Sequence, residues 1–170
     1  MPVINIHFRP REVWTWEDFR KNHLGSVALD GMVDGPPSFC SKLWTANFDH
    51  HSGVVREATM SSAKQVLFAI KGGFVKYCPQ PILDVYVNDI DQDTSLALWL
   101  LQNHHVIEGA NSIPRLNRLI ELNDRLDITG GAYPMHLSDE VLMSHNWIFD
   151  PYTQARMSGR LSKMDLEEMR

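Results

Sequence analysis

Three short stretches hold most of the chemistry this sequence could perform: Asp30-Gly31, Asp49-His50-His51 and Asn88-Asp89-Ile90-Asp91-Gln92-Asp93. Carboxylates and imidazoles gathered without cationic neighbours repel one another or compete for protons. A divalent cation relieves that repulsion and accepts their lone pairs. A mixed Asp/His shell suits manganese, iron, zinc or magnesium better than a thiolate-loving metal. Two such ions about 3.5–4 Å apart, sharing a carboxylate, can activate water and clamp a phosphate. His50 and His51 are adjacent and point in different directions, so one can bind a metal while the other faces substrate.

Each stretch also has a plainer reading. Asp30-Gly31 alone reads as a turn. Asp89, Asp91 and Asp93 can cap a following helix, where negative charge is favoured. Their spacing is not that of an EF-hand, because no Gly follows Asp93 and no Glu closes the loop. His7 reads as a strand residue before it reads as a ligand. Asp124 and Asp127, ahead of Gly130-Gly131, read as a polar loop. Arg56 reads as a solvated side chain or an anion contact, and the five tryptophans as packing residues.

The elements that must position these residues alternate. Strands are expected at residues 3–8, 26–29, 43–48 and 82–87, the last rich in β-branched residues and preceded by Pro81. Helices are expected at 15–23, from an N-cap at Thr59, Ser61 or Ser62 to Gly72-Gly73, at 95–102, from Pro114 to about Gly130, and from Ser138 to His145. In the second of these, Ala63, Val66, Leu67 and Ile70 fall on one face. The 95–102 helix is apolar nearly all round and should be buried. In the helix after Pro114, Leu116, Leu119, Ile120 and Asn123 mark the inner face.

Strand–helix alternation predicts an α/β domain with a mainly parallel central sheet flanked by helices. Ligands of such sheets sit at the carboxyl ends of the strands. Asp30, Asp49-His50-His51 and residues 89–93 each follow a predicted strand directly, so neighbouring parallel strands would bring all three to one edge. The expected division is a domain at 1–150 and a polar, Met-rich helical tail at 151–170 that ends without a closing signal, as a fragment or a frayed helix would.

The chain has 170 residues, 44% hydrophobic and 22% charged, with 16 Lys+Arg against 21 Asp+Glu and a net charge of −5. That is the make-up of an ordinary globular domain. The charge argues against sequence-independent nucleic-acid binding driven by charge alone. No apolar run reaches the ~18 residues of a membrane span, and the N-terminus lacks a signal-like apolar run. Cys40 and Cys78 lack Cys-x-x-Cys spacing, so free thiols in a cytoplasmic, reducing compartment are expected.

Val27-Ala28-Leu29-Asp30-Gly31, then Asn47-Phe48-Asp49-His50-His51, then residues 88–93 with Thr94, resemble the DHH phosphoesterase superfamily over roughly residues 3–101. That superfamily includes manganese-dependent pyrophosphatases, single-strand exonucleases and cyclic-dinucleotide or oligonucleotide phosphodiesterases. The resemblance implies a DHH-like three-layer domain and metal-dependent hydrolysis of a phosphoester or phosphoanhydride. The implied cofactor is a divalent metal, manganese first, with magnesium, iron or zinc as alternatives. The substrate would be a phosphorylated small molecule, nucleotide or oligonucleotide.

Residue by residue, the resemblance implies Asp30 as a bridging ligand, His50 as a metal ligand and His51 near the scissile phosphate. Asp49 would orient the histidine pair, and one of Asp89, Asp91 and Asp93 would be the downstream ligand. Some members of the superfamily carry an acidic pair further downstream, which makes Asp124 and Asp127 outside candidates for the rim of the site. His7 and Pro10 fit the family's His-x-x-Pro spacing, but Arg11 and Val13 stand where two acids belong. The resemblance therefore implies at most one tightly held metal, with Arg11 displacing a second. The family's substrate-gripping second domain has no counterpart before Arg170. The other reading of the same residues is a degenerate DHH-like domain that binds a metal, a phosphorylated ligand or a partner without turnover.

Overall fold

A computed structural model describes residues 1–136, 138–161 and 163. Its strands and helices are β1 (Val3–Phe8), β2 (Trp14–Thr15), α1 (Trp16–Asn22), β3 (Val27–Leu29), β4 (Val33–Asp34), β5 (Ser38–Cys40), β6 (Thr45–Phe48), α2 (Ser62–Lys71), β7 (Ile82–Val87), α3 (Gln92–Gln102), α4 (Pro114–Ile128) and α5 (Glu140–Met157). The main sheet runs β1-β7-β3-β6-β5. β1, β7, β3 and β6 are parallel, and β5 is an antiparallel edge. β2 and β4 form a separate parallel pair. The protein is thus an α/β domain with a mainly parallel sheet.

The sheet buries both faces, which is why β3 reads Val-Ala-Leu without polar alternation. On one face, α1 sets Phe19 against Ala28, Met32 and Val33. On the other, Val66, Ile70, Leu96, Leu100, Leu101 and Ile120 from α2, α3 and α4 cover Val27, Leu29, Leu83 and Val85. The convergence of the strand ends follows from the order: β3 lies between β7 and β6, so the residues after all three emerge side by side.

Two helices run further than the sequence pattern suggests. α3 begins at Gln92, capped by the Asp91 carboxylate bonding Thr94 N at 2.9 Å, so Asp93 and Thr94 lie in its first turn. Their polarity reads as loop, yet acids suit a helix N-terminus. α5 is capped by Asp139 and continues past His145 and through Pro151 to Met157. Its buried stripe of Leu142, His145, Phe149 and Ala155 holds it on the domain, while Met143, Trp147, Ile148 and Met157 stay exposed among its polar residues. The acidic end of the expected tail, with Asp165, Glu167 and Glu168, lies outside the described residues. Among those described, no helix is long and apolar enough to cross a membrane.

Candidate metal centre

Asp30 leaves β3 in a tight turn. Met32 N donates to Leu29 O at 3.1 Å, and φ is positive at both intervening residues, +47° at Asp30 and +79° at Gly31. Gly adopts that region freely and Asp is among the few side chains that tolerate it. The turn reading and the ligand reading of Asp30-Gly31 are therefore compatible, because the turn fixes the carboxylate. Ser62 Oγ donates to its Oδ1 at 3.0 Å and Thr94 Oγ1 to its Oδ2 at 2.9 Å.

Asp49 organises the loop after β6. Its Oδ1 accepts from the backbone N–H of His50 at 2.7 Å, His51 at 3.0 Å and Gly31 at 3.1 Å, and lies 2.8 Å from His51 Nδ1. One oxygen thus ties the β3 and β6 loops together and fixes the path of both histidines. This geometry suits an orienting role for Asp49. His51 is half-exposed; the Asp49 contact outweighs burial and raises its pKa.

His50 is fully buried. Its Nε2 stands 2.8 Å from Asp127 Oδ2, 3.6 Å from Asp30 Oδ1 and 4.0 Å from Asp93 Oδ2. Yet His50 Nδ1 and Nε2 and Asp127 Oδ2 are all buried without a hydrogen bond. Two groups of side chains have the proximity to hold a metal ion: Asp30 with His50 and His51, and His50 with Asp93 and Asp127. Ligands at about 2.0–2.2 Å from one ion lie roughly 3–3.5 Å apart, close to the separations around His50.

The electrostatics are those of acids crowded around one buried imidazole. Burial lowers the pKa of His50, but the Asp127 and Asp30 carboxylates outweigh it and lift the value to about 10. Burial would raise Asp30; His50, His51 and the Thr94 hydroxyl offset this and hold it below the usual carboxylate value. Asp93 is pushed well above that value by burial and by Asp30, Asp127 and Asp91. Asp91 rises to about 7, chiefly by burial and then by Asp30.

Asp93 has a second duty. Its Oδ2 accepts from Ser62 N at 2.6 Å and its Oδ1 from Ala63 N at 3.1 Å. Asp124 accepts from Ser61 N at 2.8 Å, and Ser61 Oγ from Lys64 N at 3.4 Å. Side chains therefore satisfy the opening N–H groups of α2, which helix geometry leaves unpaired. Asn123 donates to Asp93 Oδ1 at 2.7 Å and, with its Oδ1 3.1 Å from His145 Nε2, extends the network to α5.

The expected site residues therefore divide. Asp30, Asp49, His50, His51 and Asp93 come together. Asp91 caps α3, and Asp89 is occupied by Ile90 N at 2.7 Å and by Tyr152 at 3.4 Å. His7 lies 2.7 Å from Asp84 and stacks on Tyr86, in neither group. Arg11, with φ +63°, is exposed and bonds none of the cluster. The front loop is nonetheless adjacent, since Asn88 Nδ2 bridges Glu12 O at 3.1 Å and Gly31 O at 2.8 Å. Asp127 is more than a rim residue, and α4 periodicity is the signal for it: Leu116, Ile120, Asn123 and Asp127 follow one helical face. No family model, curated protein or solved structure matches the chain.

Proposed function

We propose that this chain is a divergent DHH-type domain that binds one divalent metal, manganese first, and hydrolyses a phosphoester or phosphoanhydride bond. The observation that carries the reading is a fully buried His50 with neither ring nitrogen hydrogen-bonded, set among Asp30, Asp93 and Asp127. A buried imidazole whose nitrogens make no well-formed hydrogen bond, only close carboxylate contacts, is costly; an ion among these acids would use its lone pair and neutralise them.

His50 would hold the ion, with Asp30 from one group of side chains or Asp93 from the other as its carboxylate ligand. Both groups of candidate ligands draw on His50 Nε2, which has a single lone pair. That supports one ion rather than two. A bound ion would supply Lewis acidity at the phosphoryl group and at the attacking water. Asp49 holds His51 Nδ1 and favours its cationic form, leaving Nε2 as the nitrogen available to a phosphate oxygen. The Ser62 and Thr94 hydroxyls fix Asp30. The substrate on this reading is a phosphorylated small molecule, nucleotide or oligonucleotide.

One observation favours a second reading, binding without turnover: the front loop brings no acid to the cluster, with Arg11 exposed. The test is the metal content of protein purified without a metal-affinity tag, followed by a phosphodiester and pyrophosphate panel with added manganese. Metal with turnover supports the first reading, and metal without turnover the second. Protein that takes up none of manganese, magnesium, iron or zinc refutes the first reading and the metal-binding form of the second.

A further inference from the structure

Asp127 is electrostatically misplaced for a plain helix residue. It lies in the last turn of α4, where the backbone dipole is negative and a carboxylate is disfavoured. It is also largely buried, at 16% side-chain exposure. Only cationic partners make that arrangement favourable, and two face it from opposite sides. Oδ2 lies 2.8 Å from His50 Nε2, and Oδ1 accepts from Arg56 Nη2 at 3.0 Å. Arg56 opens the short helical turn Arg56–Ala58 that follows the Asp49-His50-His51 loop.

The two oxygens of Asp127 thus connect the candidate ion position to a fixed positive charge. In a two-ion site a shared carboxylate joins two metals, and both clamp the reacting group. We propose that Asp127 is a ligand of the bound ion and that Arg56, on its other oxygen, grips the substrate phosphate where a second ion would otherwise do so. This rests on the metal-site reading above. Arg56 is suited to that role because its side chain is 38% exposed and, with Nη2 on Asp127 and Nε buried, its Nη1 makes no bond to any described residue. A guanidinium fork matches phosphate oxygens. His51, five residues earlier and also half-exposed, offers the second donor on the same loop. The ligand class is a phosphoryl group with two free non-bridging oxygens, one toward the ion and one toward Arg56.

Two calorimetric titrations test this. Manganese is titrated into the wild type, Asp30→Asn, Asp127→Asn and Arg56→Ala, and inorganic phosphate is then titrated into the manganese-loaded wild type, Arg56→Ala and Arg56→Lys. Asp127→Asn should weaken manganese binding by about 10-fold or more, and Arg56→Ala should weaken it far less. Phosphate binding should fall about 10-fold or more in Arg56→Ala and recover in part in Arg56→Lys, which keeps the charge without the fork.

If Asp30→Asn loses manganese while Asp127→Asn binds it like the wild type, Asp127 is not a ligand and the metal-site reading stands alone. Absent phosphate binding by the loaded wild type, or equal binding by Arg56→Ala, overturns the role of Arg56. A wild type that binds no manganese removes the metal-site reading and this proposal together. Circular dichroism accompanies each variant. Should Asp127→Asn unfold, Asp127→Glu replaces it: a shifted manganese affinity supports the assignment, and an unchanged one overturns it.

Discussion

Two histidines in this protein each sit beside a carboxylate at nearly the same distance, and their surroundings give them opposite meanings. His7 Nε2 is 2.7 Å from Asp84 Oδ1 on the β1–β7 side of the sheet, with side chains 27% and 37% exposed. Asn5 donates to the same oxygen at 2.7 Å, and the ring stacks on Tyr86 with centroids 4.5 Å apart. None of the polar side-chain atoms of these residues is buried without a bond. His50 Nε2 is 2.8 Å from Asp127 Oδ2, with side chains 0% and 16% exposed, and neither atom makes a hydrogen bond. Proximity is therefore a poor sign of a ligand set. Burial of several lone pairs without donors is the better sign, because water cannot relieve them and a cation can.

The largest effect expected from that contrast is on metal binding. His50→Ala and Asp30→Asn should abolish calorimetric manganese binding, while His7→Ala should leave it at the wild-type value. Manganese at about 100 times its Kd stabilises a one-site protein by about 2.7 kcal/mol. The unfolding temperature of wild type and His7→Ala should rise accordingly, and that of His50→Ala should not. Equal losses in the His7 and His50 variants would erase the distinction.

Acidity sharpens it. His50 rises from an ordinary 6.5 to about 10, so without metal its stabilising contribution is complete below pH 6.5 and is lost as pH climbs through 10. Metal needs the lone pair that this proton occupies. Between those limits, manganese affinity should rise by up to about tenfold per pH unit for the His50 proton. Titration at pH 8 in two buffers of different ionisation enthalpy should report at least about one proton released per ion. Release of none would mean that His50 is not the ligand.

The polar partners behind the two histidines should differ as well. Asn123→Ala strips Asp93 and His145 of a buried partner and should cost about 1–3 kcal/mol in denaturant unfolding. Asn5→Ala removes an exposed contact to Asp84, for which about 0–1 kcal/mol is expected. Similar costs would show that burial does not separate the pairs.

Much of this was legible in the chain itself. β7 occupies the predicted residues, and strand-end placement brought Asp30, Asp49-His50-His51 and Asp93 to one edge. Local pattern is strong where a strand ends in turn residues. It was weaker at Asp93, because a polar first turn resembles a loop until the Asp91 cap is seen. It placed Asp127 no nearer than the rim, yet that residue joins His50 from 77 positions away through the docking of α4. The inner-face rule for that helix reaches Asn123, and one further turn reaches Asp127. Reading the residues before Gly130-Gly131 as loop stops the pattern short.

The smallest expected effect separates two arginines. The family resemblance makes Arg11 the residue that excludes a second ion, yet Arg11 is exposed and bonds none of the cluster, whereas Arg56 bonds Asp127 directly. Arg11 has φ +63°, a backbone region that Asp tolerates better than most side chains, so Arg11→Asp adds little strain. An exposed carboxylate in this loop also costs little desolvation. It would still lack the convergent partners that a second ion needs, because the groups around His50 share one imidazole lone pair. Arg11→Asp should therefore keep one manganese per chain by calorimetry, with stability within about 0.5 kcal/mol of wild type. Two tight sites in this variant would return the excluding role to Arg11 and show that the front loop closes on the cluster once its charge is reversed.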